Sequence, residues 1–82
     1  MKHDKYAIKI PVKDQLAGAE YRLQHCTAAV LRTAFAVDAH EVPDDRFLFK
    51  IARLRFAVSE LRNARRELSA VRRQAKRSGV AR

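Results

Sequence analysis

Apolar positions along the chain follow two periods. Between residues 5 and 13, Tyr6, Ile8, Ile10 and Val12 alternate with Lys5, Ala7, Lys9, Pro11 and Lys13. A period of two marks a strand with one covered face. Pro11 cannot donate to a sheet ladder, so it puts this segment at a sheet edge or at the end of the strand. From Asp14 the period lengthens. Leu16, Ala19, Leu23, Cys26, Val30, Ala34 and Val37 recur every three or four residues, a helical stripe, with Asp14 as its predicted N-cap. Gly18 weakens the first turns, at a cost of about 1 kcal/mol relative to Ala. The helix is predicted to end near Asp38–His40, and Pro43 reads as the first residue of a second helix, where its missing N–H is no loss. Asp44 and Asp45 then favour the positive end of that helix's dipole. Phe47, Ile51, Leu54, Val58, Leu61 and Leu68 form the second stripe, Ala57, Ala64 and Val71 widen one edge of it, and Gly79 is the predicted C-cap. The expected fold is mainly α: an antiparallel two-helix hairpin with a short N-terminal strand-like arm. The arm covers residues 1–13, the hairpin 14–78 (helix one about 14–38, helix two about 44–77) and a tail 79–82.

Each predicted helix carries a second apolar line. Tyr21, Ala28 and Phe35 recur every seven residues on helix one, and Leu48, Phe49, Ala52 and Phe56 lie off the stripe of helix two. A hairpin buries one stripe of each helix, so Tyr21, Phe35, Leu48, Phe49 and Phe56 are expected to form an interface. A homodimer, as a four-helix bundle or a strand-paired two-fold, is the first expectation, because isologous dimers are the commonest oligomer. Cover by the N-terminal arm or by a different protein are the alternatives.

Composition narrows the function. With 82 residues and 48% hydrophobic side chains, the chain is a single small domain with enough apolar side chains for a core. A deep substrate pocket is hard to build at this size, and no nucleophile–base set, phosphate-binding Gly loop or catalytic carboxylate pair is present. The expectation is a protein that is not an enzyme, with no cofactor and no small-molecule substrate. His3, His25, Cys26 and His40 have no metal-ligand spacing, and the acids around His40 match no calcium loop. The single Cys excludes an internal disulfide framework and fits a reducing compartment. No apolar block of the 7–15 residues that a secretory leader needs follows Lys2 and Lys5. Nothing approaches the roughly 18 needed to span a bilayer. A cytoplasmic chain without membrane contact is expected.

The net charge of +9 sharpens this picture because it is uneven. Residues 1–13 carry +3, residues 14–45 carry −4 and residues 46–82 carry +10. In a hairpin centred on the link, Asp14 would lie level with about residue 68, and helix two would overhang helix one by about 13 Å. That overhang would carry Arg72, Arg73, Lys76 and Arg77. Arg55, Arg62, Arg66, Arg73 and Arg77 fall within about 60° of one another on helix two, whereas Arg65, Arg72 and Lys76 fall on its seam. Burying those three unpaired would cost several kcal/mol each, so the packing is expected to fade after Leu61–Leu68. Arg outnumbers Lys ten to two after residue 45, and its planar fork matches phosphate. The expected function is nucleic-acid binding by a non-enzymatic accessory or regulatory protein, through Lys5, Lys9, Arg55, Arg62, Arg66, Arg72, Arg73, Lys76 and Arg77. The alternative is an interaction module or small inhibitor that docks an acidic protein or nucleoprotein through its Arg face and Phe49/Phe56. In element order, strand then two helices, the chain resembles ribbon-helix-helix repressors, which would make Lys5, Ala7 and Lys9 base-facing. Helix one is about twice the length that comparison requires, and no Gly-x-Ser/Thr turn divides two short helices.

Overall fold

The computed structural model describes residues 10–79. They form two helices, α1 (Val12–Asp38) and α2 (Asp45–Arg77), joined by a six-residue link and packed side by side. The thinnest dimension is 13 Å, about the width of one helix with its side chains. The hairpin is therefore a single layer with two open faces.

Local chemistry places the helix ends. Pro11 disfavours helical backbone at Ile10 and sits in an extended conformation itself (φ −57°, ψ 147°), so α1 begins at Val12. Asp14 is therefore the acid of the first turn, where it favours the helix dipole, and not the cap. The strand-like arm meets the same correction. Val12 and Lys13 are helical, and no strand occurs among the described residues. Lys5, Lys9 and the rest of residues 1–9 lie outside them.

The start of α2 also moves. With Pro43 as first helical residue the cap would be Val42, which has no side-chain acceptor. Instead Asp44, with extended backbone, accepts from the Phe47 N–H at 3.1 Å through its carboxylate. Pro43 stands just outside the helix. At the far end Gly79 takes φ +80° and donates to the Lys76 carbonyl, a glycine-type helix stop.

The seam follows an alternation of three and four. On α1, Leu16, Ala19, Leu23, Cys26, Val30, Thr33 and Val37 are buried or half-buried. On α2 the same holds for Leu54, Ala57, Leu61, Ala64, Leu68, Val71 and Ala75. This spacing keeps one edge of a helix against one neighbour over many turns. The Thr33 hydroxyl is satisfied within its own helix by the Ala29 and Val30 carbonyls. On α2 the buried positions are Leu68 of the predicted stripe, Ala57, Ala64 and Val71 of its edge, and Ala75, while Ile51 and Val58 are only half-buried.

Packing is tightest at the end remote from the link. Leu16 (2% exposed) and Ala19 (0%) pack with Leu68 (4%) and Val71 (9%), flanked by Leu23, and Ala75 is also buried. The expectation that packing fades after Leu61–Leu68 is thus overturned. The seam runs to Ala75 because Arg65, Arg72 and Lys76 stay exposed beside it. The overhang is overturned too. The cluster sets facing residue numbers to sum to about 87, so Asp14 lies level with about residue 73. α2 then outruns the start of α1 by about two residues, or about 3 Å. The pairing is thus shifted by about five residues along α2, and the start of α1 at Val12 removes about two more residues of overhang.

Because the core sits at this end, Leu68→Ala should lower unfolding free energy by about 2–5 kcal/mol. Leu61→Ala, at a half-buried seam position, should cost less. Urea unfolding followed by circular dichroism ranks the two, and equal losses would contradict a core concentrated at Leu16–Val71.

Candidate functional site

Seam geometry sorts the remaining side chains by angle. At 100° per residue, Arg66 and Arg73 point directly away from the α2 seam, while Arg55, Arg62 and Lys76 lie about 130° from it on one side. Arg65 and Arg72 lie about 70° from the seam on that same side. All seven are exposed. They make a band about 100° wide from Arg55 to Lys76, about 32 Å of helix. Arg77, also exposed, lies just past the outer edge of the band. None of the eight makes an ion pair with another described residue.

Glu67, the acid of α2 within the Arg-rich stretch, is already committed. Glu67 receives a two-pronged hydrogen bond from Arg22 of α1, through Nε at 2.8 Å and through Nη2. That bond holds the Glu67 carboxyl below the usual carboxylate range and raises the Arg22 guanidinium. The pair is a clasp across the face opposite the basic band. It ties α1 to α2 while leaving the Arg side without a counter-charge from that acid.

The clasp face also holds a groove of about 710 Å³, farther toward the link. Cys26, Ala29 and Ala36 of α1 and Ala52 and Ala57 of α2 form its apolar lining, because small side chains leave the space between the helices unfilled. Phe56 stands on its edge, and Arg32, Lys50, Arg53 and Glu60 are its charged groups. Phe49, one turn-pair before Phe56, shares this face, with the Arg53 guanidinium 6.0 Å from its ring centre. His25 contributes to the groove and stacks on Tyr21 at 6.2 Å.

The five aromatic and aliphatic residues expected to form one interface are not one patch. Phe56 edges the groove and Phe49 shares its face. Leu48, about 100° from Phe49, lies on the opposite face with Arg55 and Arg62. Tyr21 and Phe35 occupy the outer edge of α1, directly away from its seam. All five are exposed, between 65% and 71%. Adjacent numbers concealed this division, since a one-residue step on a helix is a change of face.

A second cluster sits at the link. His40 Nε2 lies 3.0 Å from Asp44 Oδ1, the same oxygen that caps Phe47, and the His40 ring packs on Phe47 at 5.5 Å. The sequence pattern had not indicated this joint. The Phe47 amide lowers the Asp44 carboxyl most, and the His40 hydrogen bond adds to the effect. Among the described residues no three His, Cys, Asp or Glu side chains come together as metal ligands, and no helix is long and apolar enough to cross a membrane.

Compared with protein-family models, with curated proteins and with solved structures, the chain matches none. Its function must be argued from this geometry.

Asp44 and Glu67 both have depressed carboxyl pKa values in the fold, so each contributes stability above its unfolded pKa and loses it as pH falls through the folded value. Melting temperature should fall on acidification below about pH 5. In Asp44→Ala the wild-type melting temperature at neutral pH should already be lowered, and the acid-dependent fall should be shallower. An unchanged slope in a pH series of thermal melts would contradict the Asp44 contribution.

Proposed function

We propose that the protein is a small non-enzymatic nucleic-acid-binding factor that grips the phosphate backbone with the Arg band of α2. The observation that carries the reading is the crowding of like charge on an exposed helix surface. Arg62 neighbours both Arg65 and Arg66, Lys76 neighbours both Arg72 and Arg73, and Arg73 neighbours Arg77, each at a spacing of three or four. Such neighbours repel on a helix. Glu67, the acid within that stretch, is turned to Arg22 on the other face. A polyanion laid along the band relieves the repulsion and releases counterions, which gives affinity without sequence reading. Arg supplies bidentate contacts to phosphate oxygens that Lys does not. The basic segment contains no aromatic ring after Phe56, so base stacking is no part of the reading. Lys5 and Lys9 belong to the proposal as further phosphate contacts from the arm.

The mechanism has no chemical step. Association is steered by charge, and the band aligns with phosphates over about 32 Å. The four-helix homodimer is part of this proposal. The second reading is an interaction module that docks an acidic protein, supported by the exposed Phe49 and Phe56 and by the Arg53 guanidinium over the Phe49 ring on the groove face.

Mobility-shift titrations of duplex DNA, single-stranded DNA and RNA at two salt concentrations test the proposal. Arg62/Arg66/Arg73→Ala should weaken binding about equally for unrelated sequences and reduce the slope of log affinity against log salt by about 2–3. Arg32→Ala, on the groove side, should leave both unchanged. Absence of binding to any of the three at low salt would reject the function, and an acidic protein captured instead through the Arg band would establish the second reading.

A further inference from the structure

We propose that the groove takes an acidic amphipathic helix of a partner protein, laid along the hairpin as a third helix on the face opposite the Arg band. The proposal rests on the protein-docking reading, whose site and occupant it names, and not on phosphate contact.

Charge selects the occupant. The charged groups of the groove are Arg32 of α1 with Lys50 and Arg53 of α2, against Glu60. None of the four makes an ion pair with another described residue. Register sorts them along the groove. With facing numbers summing to about 87, Lys50 and Arg53 lie level with about residues 37 and 34 of α1, close to Arg32, whereas Glu60 lies level with about residue 27. The cations thus gather within about 8 Å along the axis, on both banks toward the link, and the acid stands at the other end. Past the link end, the exposed Asp45 and Arg46 share this face and offset one another. A second copy would set like charge against like. Residues 1–9, with Lys2, Lys5 and Lys9 against Asp4, would add cations to cations. A segment with acids on both shoulders complements the two banks. A nucleic acid fits this face less well, because phosphates gain nothing from an apolar wall and meet denser charge on the Arg band.

The lining selects the form. Ala29 and Ala36 wall one side, and Ala52, Ala57 and Phe56 the other. Thr33 also lines the groove, but its hydroxyl is already bonded to the Ala29 and Val30 carbonyls. An extended peptide would find few partners here for its backbone N–H and C=O groups, whereas a helix satisfies its own. The lining runs from His25 to Ala36 on α1 and from Lys50 to Glu60 on α2, about 16 Å or three helical turns. With no third element over the single layer, the groove does not enclose a small ligand. It does admit apolar residues spaced by three and four against its alanines, with acids beside them reaching Arg32 on one bank and Lys50 and Arg53 on the other.

The probe is a labelled synthetic peptide of about three heptads, with Leu at a and d and Glu at e and g, where like charge also keeps it from pairing with itself. Fluorescence anisotropy with the full chain up to about 100 μM should show binding, about tenfold or more weaker for the same peptide with Lys at e and g. Arg32→Glu/Arg53→Glu should weaken the Glu peptide about tenfold or more, with helical circular dichroism retained because both side chains are exposed. Arg66→Glu/Arg73→Glu, an equal change of charge on the far side, should weaken it less than about threefold. In the wild type the peptide should also slow modification of Cys26, the chain's single thiol, which lines the groove. No binding of the Glu peptide, equal binding of both peptides, or an unprotected Cys26 would overturn the proposal. An equal or greater loss in the Arg66/Arg73 pair would overturn it too, while leaving acidic docking standing at the Arg band. A chain that holds the peptide in the groove and shifts no nucleic acid supports this proposal and rejects phosphate contact.

Discussion

The whole molecule depends on one seam between two helices. A single-layer hairpin has no second sheet or helix to cover an error, so the seam must be continuous and its positions must stay in phase over five or more turns. The three-and-four alternation from Leu16 to Val37 and from Leu54 to Ala75 meets that requirement. Small residues dominate the α2 side of it. Ala57, Ala64 and Ala75 let the backbones approach, and Leu68 with Val71 fills the space opposite Leu16 and Ala19. Where the α1 side also turns small beside the seam, at Ala29 and Ala36, the filling fails on one face and the groove opens. Core and groove are thus two results of the same choice of side-chain size.

The register of that seam decides where the charges lie, and register was the part of the fold least legible in the sequence. Element type and number follow from periodicity, which survives small errors of boundary. Register does not. It depends on Asp44 rather than Pro43 opening α2 and on the His40–Asp44–Phe47 joint beside the link. The pairing moves by about five residues and α1 starts two residues earlier, and together these replace a protruding Arg tail by a band lying alongside α1. The alternation before Asp14 misled for a related reason. Val12 belongs equally to a strand of period two and to the helical series that continues through Leu16 and Ala19, and the longer series won. The phase of the seam on α2 was concealed because alanine scores poorly as a hydrophobe, so Ile51 and Val58 drew attention from Ala57 and Ala64.

Candidate site residues were legible as types more than as groups. Arg55, Arg62, Arg66 and Arg73 stand exposed on one side as their spacing implies, whereas Arg65 and Arg72, expected on the seam, are exposed beside it. The apolar set did not stay together: Leu48 and Phe49 belong to opposite faces, and Tyr21 with Phe35 to a third. What separates them is an angle, and that angle has a functional consequence. The cationic band and the apolar groove fall on different faces of one thin layer, so a polyanion and a protein partner need not compete for the same side chains.

Stability and charge pull in opposite directions along α2, and the way the fold accommodates this bears on function. The most crowded bases, Arg62 to Arg77, sit beside the best-packed part of the core. Arg65 and Arg72 flank the seam and stay exposed, so the core is continuous beside them without burying their charge. The neighbouring repulsion remains, and the one clasp that could have been spent against it, Glu67, is used to join the helices instead. A sequence selected for stability alone would alternate acids with these arginines at a spacing of four, since unlike pairs stabilise the same helix that like pairs strain. Local disagreement with an otherwise consistent fold is where a functional surface is expected, and here it marks the Arg band.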